Sequence, residues 1–141
     1  MKFRMAALAV AIAASGALIA NAAETPSPKD AKVYFVNLKD GAKAKSPVLV
    51  QFGLSGMGIA PAGVEMENTG HHHVFVDADP PKKGEPIPAD AKHIHFGKGQ
   101  TEARIELPPG RHTLQLVLGD FTHTPHAPMV MSPKITITVE K

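Results

Sequence analysis

The sequence contains no cysteine, and that absence excludes several functions at once. It rules out a disulfide, a thiolate metal site and the cysteine to which a bacterial lipoprotein anchor is attached. Clustered positive charge is also absent: removing Lys2 and Arg4 of the first segment from the 15 basic residues leaves 13, equal to the 13 acidic residues. A formally neutral chain with scattered lysines argues against a nucleic-acid partner and against an anionic membrane surface.

The first 22 residues have the pattern of a cleaved signal peptide. Lys2 and Arg4 precede an apolar run over residues 5–20, and residues 20–22 (Ala-Asn-Ala) are the small-x-small site that signal peptidase recognises. The run is shorter than the roughly 20 apolar residues of a membrane span, and no later stretch is apolar enough to span. The sequence therefore predicts cleavage near Ala22, localisation in the periplasm or secretion, and no membrane span in the mature chain.

The rest of the chain predicts one all-β domain. A polar leader, residues 23–31, is expected to be flexible, and residues 32–141 form short apolar-rich runs separated by proline, glycine and aspartate. Apolar residues in these runs alternate with a period of two, and no segment has helical periodicity. This pattern predicts a single immunoglobulin-like antiparallel β-sandwich of about seven strands. The predicted strands are 33–38, 48–54, 71–78, 93–96, 103–107, 112–118 and 135–139, and the predicted core contains Val50, Phe52, Val76, Ile105, Leu114, Leu116, Leu118, Ile135 and Ile137.

Seven of the eight histidines lie in three short motifs. These are GHHHVFVD at residues 70–77, HIHFG at 93–97 and THTPH at 122–126. If each strand runs opposite to the one before it, the three motifs arrive at the same end of the domain. The eighth histidine, His112, begins a strand at the other end and serves as an internal control.

Alternation of side chains along each strand predicts which histidines share a face of the sheet. His71 and His73 share one side of their strand, and His72 lies on the other. His93 and His95 also share a side. Residues two apart on a strand are close enough for both imidazoles to reach one ion.

Converging imidazoles indicate a metal site, because a neutral imidazole nitrogen is a good donor near pH 7 and several protonated ones repel each other. Methionines are expected at the same end, and thioethers beside imidazoles favour copper, with zinc as second choice. Few carboxylates accompany the motifs, which argues against Ca²⁺ or Mg²⁺. The predicted metal ligands are His71, His72, His73, His93, His95, His123, His126, Met57, Met129 and Met131.

Proton competition predicts a pH dependence for such a site. Metal affinity is expected to fall between roughly pH 7 and pH 5, around the ordinary histidine pKa of about 6.5. Methionine does not titrate, so Cu(I) is expected to be retained better than Cu(II) if one of the three methionines is a ligand.

Two other classes of function stay open on the sequence alone. In a structural or partner-binding module, contacting another periplasmic or envelope protein, His72 is a buried structural residue and the methionines are packing. A metal-dependent hydrolytic enzyme requires a pocket beside an open metal position. The sequence has no nucleophile elbow, phosphate loop or zincin helix. Asp120 fits either a turn former or an acceptor that orients a histidine ring.

Four motifs together resemble a family of exported bacterial proteins classed as a domain of unknown function. The motifs are FGLSGMGIAPAG, NTGHHH, IPADAKHIHFGKGQTE and LPPGRHTLQLVLGDFTHTPH, and the resemblance runs from about Val48 to Val139. It implies a single exported domain that carries the histidine triplet, the His-x-His-Phe-Gly segment and the His-x-Pro-His loop. It implies no activity, so the functional hypothesis depends on the chemistry of the residues.

Overall fold

Nine β-strands and no helix make up the regular structure of residues 23–141, the part of the chain that the computed structural model describes. The signal peptide predicted for residues 1–22 lies outside the described residues. Within the described part, no helix has the length and apolar character needed to cross a membrane. The strands are β1 (Lys32–Phe35), β2 (Lys43–Lys45), β3 (Val48–Ser55), β4 (Gly58–Ile59), β5 (Thr69–Val76), β6 (His93–His95), β7 (Glu102–Ile105), β8 (Gly110–Gly119) and β9 (Ile135–Glu140).

The strands form two sheets with the main core between them. The smaller sheet has the order β1-β3-β7, and the larger has the order β2-β9-β8-β5-β4, with β6 also paired to β5. The main core contains buried side chains from both sheets, such as Val50 and Phe52 of β3 against Leu116 and Leu118 of β8. All nine core residues predicted from the sequence are buried, and each of the seven predicted runs overlaps a strand.

The larger sheet is mixed, so the prediction of a purely antiparallel sandwich of seven strands is corrected. The two additional strands, β2 and β4, pair in parallel with β9 and β5 respectively. They are three and two residues long. A strand this short shows no period of two in the sequence, and its side chains bury too little apolar surface to reveal it.

Strand β5 is the best-buried strand of the larger sheet, because both of its faces are covered. On one face Val74 and Val76 belong to the main core. On the other face Phe75 packs with Val117 of β8 and Ile87 of the loop over residues 77–92 in a second, smaller core. The three histidines of the GHHH motif are part of this strand, and all three are almost completely buried.

The segment expected to be a flexible leader contacts the loop between β8 and β9. The amide N–H of Ser27 donates to the carbonyl of Ala127 at 3.2 Å, and the amide N–H of Ala127 donates to the carbonyl of Thr25 at 2.9 Å. These bonds place residues 25–27 beside the loop that carries His123 and His126.

Candidate metal centre

Strand alternation places His71 and His73 side by side on the face of β5 that points away from the main core. The side chain of His71 is 0% exposed and that of His73 is 1% exposed. Their ring centroids are 4.7 Å apart. Two imidazoles are thus fixed on a strand that is hydrogen-bonded along both edges, by β8 on one side and by β4 and β6 on the other.

Two further histidines reach this pair from other parts of the chain. His95 of β6 lies directly opposite His73 in the antiparallel register. His123 comes from the connection between β8 and β9. One ring nitrogen from each of His71, His73, His95 and His123 can be chosen so that all four lie within 4.8 Å of one another. We call these four residues the histidine cluster.

The rings of the cluster surround a common centre. The centroid of the His71 ring is 4.9 Å from that of His95 and 5.1 Å from that of His123. The rings of His95 and His123 are 4.6 Å apart. His95 is exposed and His123 is half-buried, whereas His71 and His73 are buried. The cluster therefore has a buried, rigid half on β5 and a half at the protein surface.

A hydrogen-bonded turn built on Asp120 holds His123 in place. One carboxylate oxygen of Asp120 accepts bonds from the Thr122 amide at 2.8 Å, the Thr122 hydroxyl at 2.7 Å and the Thr124 amide at 3.0 Å. The other oxygen accepts a bond from the Thr25 hydroxyl at 2.6 Å. Inside this turn His123 has a φ of +65°, in the left-handed region where histidine is enriched among non-glycine residues. Asp120 thus forms the turn, and Thr25, which no pattern in the sequence indicates, supports it.

Electrostatics keep the buried imidazoles neutral. Burial, followed by the proximity of His95 and His123, lowers the pKa of His71 to about 4. Burial and the neighbouring cluster rings lower the pKa of His73 to about 3. Burial and His123 also lower the pKa of His95. Neutral rings at pH 7 have lone pairs available for a metal ion, and their pKa values place proton competition at more acid pH than the ordinary histidine value predicts.

One pair of nitrogens in the cluster has the spacing found in a tetrahedral transition-metal site. Nε2 of His71 lies 3.2 Å from Nδ1 of His123. Two nitrogens that each bind an ion at about 2.0–2.1 Å in a tetrahedral arrangement are about 3.3 Å apart. Nδ1 of His73 is buried and has no hydrogen-bond partner. An unpaired buried polar atom costs roughly 1–3 kcal/mol, and a bound ion offsets such a cost when that atom is a ligand.

The other histidines have different surroundings. His72 points into the main core, with its ring 4.9 Å from that of Phe52, and neither ring nitrogen has a partner. His93 lies opposite Phe75, two residue pairs along β5 from the pair of His73 and His95, and its Nδ1 is 2.7 Å from a carboxylate oxygen of Asp90. His126 donates from Nε2 to the carbonyl of Thr69 at 3.1 Å. None of these three histidines belongs to the cluster.

His112 lies at the opposite end of β8 from the cluster, as its position in the sequence predicts. Its Nδ1 is 2.7 Å from the carboxylate of Asp77, and its Nε2 donates to the carbonyl of Pro108 at 2.8 Å. With both ring nitrogens paired, this residue has a structural role. It is the natural control for substitutions in the cluster.

The three methionines considered as ligands occupy three different surroundings. Met57 packs against the main core. Met131 pairs with Val117, which in turn pairs with His73, so the backbones of Met131 and His73 are two strand spacings, roughly 10 Å, apart across the sheet. Met129 is half-buried next to the core residue Val130. The four nitrogens that converge in the cluster all belong to imidazoles.

Comparison with known proteins gives one match. A family model described as a domain of unknown function (DUF4399) matches residues 50–140. No curated protein and no solved structure matches the chain. The matched region contains all four residues of the histidine cluster.

Proposed function

The chain belongs to the family described as a domain of unknown function (DUF4399), and from the geometry of its histidine cluster we propose that it is an exported protein that binds one transition-metal ion. The observation that carries the proposal is the convergence of four imidazole nitrogens within 4.8 Å, from His71, His73, His95 and His123. Export rests on the signal peptide predicted for residues 1–22 and places the ion in the periplasm or outside the cell.

We assign copper as the preferred ion and zinc as the second choice. Affinity of nitrogen ligands for divalent first-row metals is highest for Cu(II), and imidazole also suits Zn(II). The copper preference here rests on the four imidazoles of the cluster. The carboxylate of Asp120 acts electrostatically on His71, raising its pKa against the effect of burial, and the same negative charge favours a bound cation.

Two clefts in the described part of the chain lie away from the histidine cluster. One cleft of about 510 Å³ is lined by residues such as Phe75, Ile87 and His93, and another of about 450 Å³ by residues such as Thr25 and Asp120. No histidine of the cluster lines either cleft. A metal-dependent hydrolase requires substrate space beside the ion, so these two clefts supply no observation in favour of that alternative.

Titration of the metal-free mature protein with Cu(II), Zn(II) and Cu(I) tests the proposal, and strand β6 offers a matched pair of variants. We expect one ion per chain. His95→Ala removes a ligand and is expected to lower the affinity by at least about 10-fold, whereas His93→Ala, in the same three-residue strand, is expected to leave it unchanged. The affinities are measured by competition with a chelator of known strength.

Two results of this titration would contradict the proposal. The first is wild-type protein that binds none of the three ions more tightly than a variant lacking the cluster histidines. The second is equal loss of affinity in His93→Ala and His95→Ala, which indicates a general effect of disturbing β6. His112→Ala provides a further control at the other end of the domain.

A further inference from the structure

At three glycines of the domain, a histidine ring lies so close to the Cα atom that it occupies the space of a Cβ atom. A Cβ atom placed on Gly70 would lie 2.9 Å from Cε1 of His126, and one placed on Gly119 would lie 2.6 Å from Cε1 of His73. A Cβ atom on Gly97 would lie 2.6 Å from Nε2 of His95 and closer still to its Cε1. Real Cβ atoms essentially never approach other atoms below 3.0 Å, so none of these rings could keep its place beside an alanine.

Gly97 is the most informative of the three, because its backbone permits alanine. Its φ lies outside the left-handed region, unlike that of Gly99 at +81°. The severe overlap of a new Cβ falls on the ring of His95 alone. A third contact, 3.2 Å from Cβ of Ala62, requires a shift of only a few tenths of an ångström.

The ring of His95 can move into solvent. His95 is exposed, so a methyl group at position 97 displaces its imidazole towards solvent and away from the cluster while the fold stays intact. At Gly119 the opposite holds, since the ring of His73 is 1% exposed and has no free space into which to move. A substitution at Gly119 disturbs the core and the site together, and therefore separates the two roles less well.

We propose that Gly97 is a positioning residue for the metal site. Its missing side chain lets the imidazole of His95 fold back over residue 97 and approach His71, His73 and His123. The inference rests on the proposed function insofar as it concerns metal affinity. The placement of the ring itself is a separate statement about the metal-free protein.

The experiment compares Gly97→Ala with Gly58→Ala. We expect Gly97→Ala to weaken Zn(II) and Cu(II) binding by about 10- to 100-fold, the range found when support of a metal ligand is removed. The urea midpoint of the metal-free protein is expected to change little. Gly58 is the matched control, because a Cβ there makes only an ordinary contact of 3.6 Å with Thr69 and its φ is also outside the left-handed region.

A double-mutant cycle with His95→Ala separates positioning from a general structural effect. If Gly97 acts through His95, adding Gly97→Ala to His95→Ala causes no further loss of affinity. An equal further loss in that background, or wild-type affinity in Gly97→Ala, would overturn the proposal.

The ring placement is tested without metal by NMR. In metal-free wild-type protein we expect nuclear Overhauser contacts from the His95 ring to the Gly97 α-protons and to the His123 ring, whose centroid is 4.6 Å away. The contact between the rings of His95 and His123 should disappear in Gly97→Ala. If wild-type protein shows these contacts but binds no metal, the proposed function fails while the positioning role of Gly97 stands. If the contact between the two rings persists in Gly97→Ala, the positioning role fails.

Discussion

The metal-free protein is expected to lose roughly 6 kcal/mol of its free energy of unfolding when the pH falls from 7 to 5. Burial lowers the pKa of His71 and His72 to about 4 and that of His73 to about 3, whereas the unfolded chain has the ordinary value of 6.5. Below pH 6.5 the unfolded chain therefore takes up protons that the folded chain excludes. Each pH unit costs about 1.4 kcal/mol for each of the three histidines until the folded groups protonate near pH 4. Small domains are stable by only about 5–15 kcal/mol, so this loss brings the protein close to unfolding.

Other titrating groups do not mask the effect. The hydrogen bond that His112 donates to the carboxylate of Asp77 raises the pKa of His112, so its stabilisation is present below pH 6.5 and offsets part of the loss from one histidine. Hydrogen bonds lower the pKa of Asp90, and they lower that of Asp120 despite its burial. The stabilisation from these carboxylates is lost only below about pH 4, outside the window.

Urea unfolding at intervals between pH 7.5 and pH 5, with and without Zn(II), measures this dependence. A bound ion blocks protonation of its ligands and adds stability by mass action, about 4 kcal/mol at a thousand-fold excess over Kd. The metal-loaded protein should be more stable at each pH and should lose at least as much stability between pH 7 and pH 5, because the loss arises from protonation of the unfolded chain. A metal-free stability that stays constant from pH 7 to pH 5 would contradict the burial of three neutral histidines.

His73→Leu is expected to abolish metal binding while making the metal-free protein more stable in acid. The substitution removes a cluster ligand, so affinity should fall by more than the roughly 100-fold attributed to the loss of supporting groups. It also removes a buried nitrogen without a partner and a group that opposes folding below pH 6.5. The expected gain in metal-free stability at pH 5 is about 2 kcal/mol relative to wild type.

His72→Leu is the matched control, because His72 is the next residue of the same strand and faces the main core. It should give a similar gain in stability at pH 5, since its pKa is also lowered by burial. Its metal affinity should equal that of wild type. Equal loss of metal affinity in the two variants would show that binding depends on an undisturbed strand β5 and not on the imidazole of His73.

The sequence was sufficient to predict most of what positions the cluster. A period of two located the strands that carry His71, His73 and His95, and it separated His72 from its neighbours. Reversal of direction from strand to strand brought the motif of His123 to the same end. These inferences succeed because strand pairing depends on which face of each strand is apolar, and the alternation of residues in the sequence shows that face.

The membership of the cluster could not be predicted, because it depends on register and on the path of loops. His93 shares a face with His95, but the pairing sets it opposite Phe75 instead of a histidine. His126 is only three residues from His123, yet the turn at Asp120 directs its ring towards Gly70. The roles of Gly97 and Thr25 depend on contacts between distant or non-periodic segments, for which no pattern exists in the sequence.

X-ray absorption spectroscopy of the mature protein loaded with one equivalent of Zn(II) or Cu(II) examines the ligand set itself. We predict a first shell of nitrogen at about 2.0–2.1 Å with the multiple-scattering pattern of imidazole, from His71, His73, His95 and His123, and no sulfur. The same spectrum should be obtained from His72→Leu, and it should show fewer imidazoles in His95→Ala. A first shell of oxygen without imidazole scattering, or one containing sulfur at about 2.3 Å, would show that the ion does not occupy a site made of these four histidines.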